Sequence, residues 1–237
     1  MPEYAIFPLG DQAVTFSLGN TIQIRNHRKV MAMQHWLRQH PFPGLLDIAV
    51  AYNSITVVYD LYLLHTSQEM ESGFGYVRDL LLEAYRQSGL RSDTTPGLKR
   101  IPVCYESPCA PDMEYIMAEK DLSRDRVIAL HTGRNYQVYM IGFLPGFPYM
   151  AEVDPMLMLP RKTTPRGKVE AGSVGIAGVQ TGIYPVVSPG GWQIIGRTPL
   201  RLFIRESNPP VFLEPGDQVQ FYEITSGEFR KMNQHNA

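Results

Sequence analysis

Residues 139–200 carry three distinctive segments, YMIGFLPGFPYM (139–150), LPRKTTPRGKVEAGSVGIAGVQTGIYP (159–185) and SPGGWQIIGRTPL (188–200). Ten of the chain's 20 glycines lie between Gly142 and Gly196. Short β-type runs are interrupted by Gly and Pro at close intervals, and helical periodicity is absent. From Val138 onward the sequence therefore predicts a β-barrel or a β-sandwich with functional loops.

The first 90 residues have a different pattern, in which short apolar runs alternate with apolar stripes at helical spacing. The runs predict strands at residues 4–9, 13–18, 48–52 and 55–59, the last two turning at Asn53-Ser54. The stripes predict helices over residues 22–39 and from Thr66 to Gly89, where Thr66 and Glu69 form a capping box. We therefore expect a small α+β domain over residues 1–90.

The polar, turn-rich segment RSDTTPGLK at residues 91–99 predicts a linker. After it, residues 101–105 predict a strand and residues 112–120 and 123–131 predict short helices, with Asp112 and Ser123 as their N-caps. The β-rich domain is expected to cover residues 100–230.

Composition excludes several classes of protein. Of the 237 residues, 44% are hydrophobic and 19% are charged, which excludes extensive disorder. The net charge of −1 gives no general attraction to nucleic acid or to anionic membranes. The longest uncharged stretch, residues 171–196, is interrupted by Gly, Pro and Gln and does not fit a membrane helix. With no visible secretory signal and two cysteines, Cys104 and Cys109, we expect a cytoplasmic protein.

Common catalytic and metal motifs are missing. Gly167-Lys168 lacks the upstream Gly and the following Ser or Thr of a P-loop. Gly172-Ser173 lacks the intervening residue of a nucleophile elbow. The six histidines form no pair at helical metal-ligand spacing, so the sequence predicts no metal site of its own.

Aromatic residues crowd the segment FLPGFPYM. Phe143, Phe147 and Tyr149 surround a turn stiffened by Pro145 and Pro148. Aromatic groups on a rigid loop can form the wall of a ligand pocket, and they can equally fill the end of a barrel. Both interpretations stay open for these residues. Trp192 of the segment SPGGWQ is a further candidate for such a wall.

Basic residues concentrate in residues 161–170, in a chain that is otherwise nearly neutral. Arg161, Lys162, Arg166 and Lys168 face a single acidic residue, Glu170. Such a patch suits a phosphate or a carboxylate, and it is also compatible with a solvated surface loop.

Glycines recur at residues 172, 175, 178 and 182, through an apolar stretch that ends in Gln180, Thr181 and Tyr184. The three polar side chains would then lie at strand ends, where binding sites collect. Barrel corners explain the glycines equally well.

Together these segments resemble the family of the 5-oxoprolinase B component, also called the KipI or allophanate hydrolase subunit 1 family. The strings that carry the resemblance are GFLPGFPYM, Thr164-Pro165-Arg166, AGSVGIAG-x-QTGIYP and SPGGWQ-x-IGRTP. The resemblance implies a small N-terminal α+β domain followed by a cyclophilin-like β-barrel domain. One departure is the loop at residues 106–110, where the family's Gly-rich acidic turn is replaced and only Pro111-Asp112 survives.

The resemblance also implies an activity. The family's enzyme complex is bacterial and opens 5-oxo-L-proline to L-glutamate with hydrolysis of ATP, because an unstrained lactam must be activated before it is hydrolysed. ATP and Mg²⁺ would be bound together with two partner subunits, the KipA-type C component and the A component, and the single chain would be inactive. The candidate substrate- or nucleotide-binding residues are Arg161, Lys162, Thr164, Arg166, Gln180, Thr181, Tyr184 and Arg197.

Two alternatives come from other functional classes. Some family members are described as inhibitors of a sensor histidine kinase, which act by binding protein. The chain could also be a cyclophilin-like peptide binder without catalysis. An enzyme subunit predicts a polar, charged site, whereas a pure binder predicts an exposed apolar patch.

Overall fold

The computed structural model describes residues 4–67, 72–89 and 97–235. Contacts divide the chain into two compact units, residues 1–95 and 96–237, each with its own core. Most of the predicted linker lies outside the described residues. Its last two positions, Leu98 and Lys99, already belong to the first strand of the second unit.

The first unit is an antiparallel sheet covered by helices. Its strands are β1 (Ala5–Pro8), β2 (Ala13–Ser17), β3 (Leu45–Val50) and β4 (Ser54–Tyr59), and its helices are α1 (Ile24–Gln39), α2 (Leu61–Ser67) and α3 (Gly73–Gln87). The strands pair in the order β1-β2-β4-β3, and α1 and α3 pack against them and against each other. The predicted order of strands and helices is confirmed, with α2 as a short addition.

The start of α3 differs from the prediction. Ser72 is its N-cap, and the Ser72 Oγ accepts a hydrogen bond from the Gly75 N–H at 3.0 Å. Thr66 instead lies near the end of α2, where its hydroxyl donates to the carbonyl of Tyr62 at 3.0 Å. The predicted capping box is therefore wrong, although Glu69 itself lies outside the described residues.

The apolar stripe of α3 faces the core of the first unit. Val77, Leu81 and Ala84 are fully buried, and Phe74 packs against the same cluster. Spacings of three and four positions place these residues on one face of the helix, which confirms the periodicity seen in the sequence. Met70, the first member of the predicted stripe, lies outside the described residues.

The second unit contains most of the strands. They are β5 (Leu98–Cys104), β6 (Asn135–Ile141), β7 (Pro148–Ala151), β8 (Arg166–Val169), β9 (Ser173–Ala177), β10 (Gln180–Ile183), β11 (Ser188–Gly190), β12 (Gln193–Arg197) and β13 (Gln218–Ile224). The helices are α4 (Met113–Lys120), α5 (Arg124–Thr132) and α6 (Ser226–His235), with a 3₁₀ turn at Pro155–Leu157.

Within residues 97–235, seven strands close a barrel in the order β10-β7-β6-β13-β5-β12-β9, and β9 pairs back to β10. Neighbours are antiparallel except β13 and β5, which run parallel from Gln218↔Leu98 to Ile224↔Cys104. Strands β8 and β11 form a separate two-stranded sheet. The chain thus has the predicted fold, a small α+β domain followed by a cyclophilin-like β-barrel.

Helix α6 was not predicted from the sequence. Its residue Phe229 is buried beside Cys104, Cys109 and Ile224. Thr225 and Glu228 also form a capping box at its N-terminus, in which the Thr225 N–H donates to Glu228 Oε2 at 2.8 Å and the Glu228 N–H donates to Thr225 Oγ1 at 3.2 Å. The sequence signals for α6 are therefore this capping box and one buried aromatic residue rather than an apolar stripe. Both cysteines are free thiols. No helix in the described parts of the chain is long and apolar enough to cross a membrane.

Candidate functional site

Asp112 precedes α4 but does not cap it through its side chain. Its carboxylate is buried, with 3% of the residue exposed. Oδ2 accepts the backbone N–H of Ile194 at 2.6 Å, and Oδ1 accepts Nζ of Lys162 at 3.3 Å and Nη2 of Arg166. Asp112 thus occupies the predicted N-cap position of α4, but its side chain makes no capping bond, because these more distant donors occupy the carboxylate. Ser123, by contrast, does cap α5, accepting the Arg126 N–H at 3.3 Å.

The basic segment, residues 161–168, is held to the barrel by its backbone as well as by Asp112. The Lys162 N–H donates to the carbonyl of Gly191 at 2.7 Å. The Gln193 side chain donates to the carbonyl of Pro160 at 3.1 Å, and Arg166 pairs with Gly190 across β8 and β11. These bonds give the segment a defined conformation, unlike a freely solvated loop.

The charge of the basic segment is only partly balanced. Asp112 supplies one negative charge to Lys162 and Arg166, and Arg161 beside them is exposed. Nη1 of Arg166 is buried and has no hydrogen-bond acceptor among the described residues. A desolvated guanidinium N–H without a partner is unfavourable, and an oxyanion is the ligand that fits it best.

An aromatic cluster adjoins the basic segment. Phe147 packs edge-on against Tyr184 and Trp192, with ring centroids 5.2 and 5.4 Å apart, and Tyr149 packs on Phe147 at 4.8 Å. The Arg161 guanidinium carbon lies 5.8 Å from the Trp192 ring centroid. Burial raises the pKa of Tyr184, and the Trp192 backbone N–H and the charge of Arg161 oppose that rise. The basic and aromatic candidates are thus brought together.

The members of this cluster differ in exposure. Phe147, Tyr184 and Trp192 are buried, so they act as a hydrophobic core on which the basic segment rests. Phe143 is 65% exposed and adopts a φ of +66°, at the tip of the FLPG turn. Pro145 is exposed on the same turn. Phe147 and Trp192 therefore fill the core, whereas a pocket wall stays a prediction for the exposed Phe143 and Pro145.

Thr181 lies inside the barrel and is fully buried. Its hydroxyl donates to the carbonyl of Gly175 at 3.1 Å, so its oxygen accepts Nε2–H of His131 at 3.2 Å. Nδ1 of His131 then accepts the hydroxyl of Tyr105 at 2.7 Å. Thr181 thus presents no surface to a ligand in this structure, whereas the preceding Gln180 is half-buried at the start of β10.

Arg197 and Thr164 occupy other positions. Nε of Arg197 donates to the carbonyl of Ala171 at 2.7 Å, and its guanidinium carbon lies 5.7 Å from the Phe229 ring centroid. Its partners are therefore different from those of the Asp112 cluster. Thr164 is exposed on the basic segment.

A cavity of about 260 Å³ lies in the first unit, beside the N-terminus of α1. Its lining residues are Leu18, Thr21, Gln23, Arg25, Asn26 and Lys29. None of these is a residue that the sequence predicted for the site. Within the described ranges, no group of three His, Cys, Asp or Glu residues is close enough together to hold a metal ion.

The sequence and fold of this chain match those of known proteins. Residues 4–213 match the family model described as carboxyltransferase domain, subdomain C and D. The chain is 40% identical over 228 residues to the B component of 5-oxoprolinase from Bacillus subtilis, and the match covers 95% of both chains. It is 32% identical over 221 residues to the B component of 5-oxoprolinase from Escherichia coli O157:H7, covering 92% of this chain and 95% of that one.

A solved structure shares the fold of this chain. The crystal structure of the protein TTHA0988 superposes with a TM-score of 0.77 and 36% sequence identity over 91% of this chain. The chain spans about 40% of the length of that structure. The fold, the motifs of residues 142–199 and these matches agree. The chain belongs to the carboxyltransferase subdomain C and D family, and within it to the family of the 5-oxoprolinase B components.

Proposed function

We propose that this chain is the B component of a multi-subunit, ATP-dependent 5-oxoprolinase, which converts 5-oxo-L-proline to L-glutamate with hydrolysis of ATP. The observation that carries the proposal is the 40% identity to a curated B component of 5-oxoprolinase over nearly the whole of both chains. The anchored basic segment supports it, because the reaction handles two anions, the phosphates of ATP and the carboxylate of 5-oxoproline.

In this proposal the basic segment supplies charge to an active site that the partner subunits complete. Arg166 donates to a phosphate or carboxylate oxygen, and Lys162 and Arg161 add positive charge beside it. Gln180 orients the amide of the substrate or its product. Phe147, Tyr184 and Trp192 hold the segment in place and exclude water from its inner side.

ATP and Mg²⁺ are proposed from the family resemblance, and the chain's own residues fit them unequally. The unpartnered Nη1 of Arg166 and the neighbouring cations fit a phosphate oxygen. Among the described residues, no group of three His, Cys, Asp or Glu side chains could hold the metal without the nucleotide, so no step through the metal is derived from this chain. We place the metal with the nucleotide and the partner subunits.

The partners of the proposal are the A component and the KipA-type C component of 5-oxoprolinase, in the cytoplasm of a bacterium. The chain alone is expected to form no glutamate, because a P-loop and a metal site are both missing from the motifs that its sequence offers. Production of glutamate by the purified single chain would contradict this part of the proposal.

The experiment is reconstitution. The chain is purified with the two candidate partner components, and glutamate is measured with ATP and 5-oxo-L-proline, omitting one protein or substrate at a time. The proposal requires glutamate only when all of them are present. If the assembled proteins form none, while the chain inhibits autophosphorylation of a sensor histidine kinase, the inhibitor alternative replaces it.

A further inference from the structure

We propose that Asp112 is a positioning residue, which orients the guanidinium of Arg166 so that its free Nη1 edge binds an oxyanion. The identity of that anion rests on the proposed function. The positioning role rests on the contacts among the side chains of Asp112, Lys162 and Arg166. Asp112 was identified from the sequence only as a helix cap. Its place in the site emerges from the structure.

The carboxylate of Asp112 is fixed from two sides. The Ile194 N–H holds Oδ2 at 2.6 Å from within the barrel wall, which leaves Oδ1 directed at the basic segment. Lys162 and Arg166 both donate to Oδ1. With 3% of the residue exposed, the carboxylate has little freedom to follow the motion of its partners. It therefore sets the position of the two cations.

The guanidinium of Arg166 is used on one side only. Nη2 is paired with Asp112, whereas Nη1 is shielded from solvent and lacks an acceptor among residues 4–67, 72–89 and 97–235. Buried polar groups are nearly always paired, so an unpaired guanidinium nitrogen points to a group that binds there. Asp112 holds Nη2, and this fixes the direction in which Nη1 can donate.

The charge of the cluster selects an anion. One carboxylate faces the two cations Lys162 and Arg166, so a net positive charge remains, and the exposed Arg161 adds to it. A planar carboxylate and a tetrahedral phosphate both match the N–H geometry of a guanidinium. The ligand class is therefore an oxyanion, with the carboxylate of 5-oxoproline and a phosphate of ATP as its two sources.

The effect of replacing Asp112 alone on anion binding would be ambiguous. The substitution frees the guanidinium of Arg166 to reorient, and it also removes a negative charge near the anion. A double-mutant cycle separates these effects, since Arg and Lys carry the same charge. Binding of inorganic phosphate and of 5-oxo-L-proline to the full chain is measured separately by calorimetry. The variants are Arg166→Lys, Asp112→Asn and the double variant.

If Asp112 orients Arg166, then Arg166→Lys in the chain that retains Asp112 should weaken the binding of at least one anion about tenfold. In the Asp112→Asn background the same change should weaken it less than about twofold, because the guanidinium is no longer oriented. The matched control is Asp154→Asn, which breaks the similar pair with Arg134 at 2.9 Å. In that background Arg166→Lys should keep its full effect. Equal losses in all backgrounds would overturn the proposal.

A second measurement covers the case in which Asp112→Asn does not fold. The Arg166 side-chain N–H signals of ¹⁵N-arginine-labelled wild-type chain are assigned by their loss in Arg166→Lys. Titration with phosphate or 5-oxo-L-proline should shift the Nη signals. If both anions leave these signals unmoved up to about 10 mM, the inference is wrong. The proposed function is tested separately, by whether the assembled complex forms glutamate.

Discussion

The carboxylate of Asp112 accepts a hydrogen bond from the guanidinium of Arg166, although 54 positions separate the two residues. Asp112 lies just before helix α4 and Arg166 begins strand β8. The pair therefore ties a helix end to a strand that stands outside the closed barrel. One buried acid therefore helps the backbone bonds to Gly191 and Gly190 to hold the most basic part of the chain in place.

Asp112 should matter for stability as well as for the site. We expect Asp112→Ala to lower the free energy of unfolding of the second unit by about 2–4 kcal/mol, because it leaves a buried N–H and two cations unpaired. Urea unfolding of the full chain measures this. Glu170→Ala is the control, since it removes only an exposed pair with Lys168 and should leave the urea midpoint unchanged. Equal midpoints for Asp112→Ala and wild type would contradict the anchoring role.

His131 should make the barrel sensitive to acid. Burial lowers the pKa of this imidazole from 6.5 to about 3, so the folded state keeps it neutral while the unfolded chain takes up a proton below about pH 6.5. Stability should therefore fall by about 1.4 kcal/mol for each pH unit between about pH 6 and pH 3.

The variant His131→Gln tests this source of acid sensitivity, because Gln does not titrate. Its free energy of unfolding should depend less steeply on pH than that of the wild type over pH 5–7. His35→Gln, at an exposed position of α1, should keep the wild-type slope. If the free energies of unfolding of wild type and His131→Gln depend equally steeply on pH, His131 is not the source of the acid sensitivity.

Two glycines with positive φ should respond differently to alanine. Gly172 has a φ of +82°, and a Cβ there would collide with the carbonyl oxygen of Thr198. Gly178 has a φ of +58° and no atom near the position of a Cβ. Gly178→Ala should cost about 1 kcal/mol of stability through backbone strain alone, and Gly172→Ala about 3 kcal/mol or more. Thermal unfolding checks the order, and a smaller loss for Gly172→Ala would contradict the packing described.

The two cysteines should react slowly in the folded protein. Burial, together with the neighbouring Cys104, raises the pKa of Cys109 to about 12, so the reactive thiolate is scarce at pH 8. We expect iodoacetamide to modify neither thiol within the time that it needs to modify both in urea. Mass spectrometry of native and unfolded samples counts the adducts. Rapid alkylation of Cys109 in the native chain would show that α6 does not cover it.

Much of the fold followed from local patterns. Closely spaced glycines and prolines after Val138 predicted the barrel, and the stripe through Val77, Leu81 and Ala84 predicted α3, because β-turns and helical faces depend on neighbouring residues. The capping box at Thr66 was wrong because Thr66 belongs to a separate short helix, α2, and Ser72 caps α3. Helix α6 was missed because Phe229 is its single buried apolar residue in that core cluster.

The site was less accessible from sequence, because its contacts span long distances along the chain. Asp112 resembles a local helix cap, while its partners Lys162, Arg166 and Ile194 lie 50, 54 and 82 positions away. The sequence places Thr181 at a polar strand end. In the closed barrel it is buried and hydrogen-bonded to His131, which lies 50 positions away. The sequence singled out Asp112 only as a helix cap at the end of the loop at residues 106–110, which did not predict its distant partners.

The most direct test of the account is the rate of glutamate formation by the complex reassembled with Arg166→Lys. Losing a charge-assisted hydrogen bond to a buried anion costs about 1.5–3 kcal/mol, or roughly ten- to a hundredfold in turnover. Arg86→Gln on helix α3 is the control, because Arg86 lies outside the basic segment and pairs with Glu83 at 3.1 Å. We predict a ten- to hundredfold slower reaction for Arg166→Lys with normal assembly by gel filtration, and wild-type rates for Arg86→Gln. Wild-type turnover of an assembled Arg166→Lys complex would contradict it.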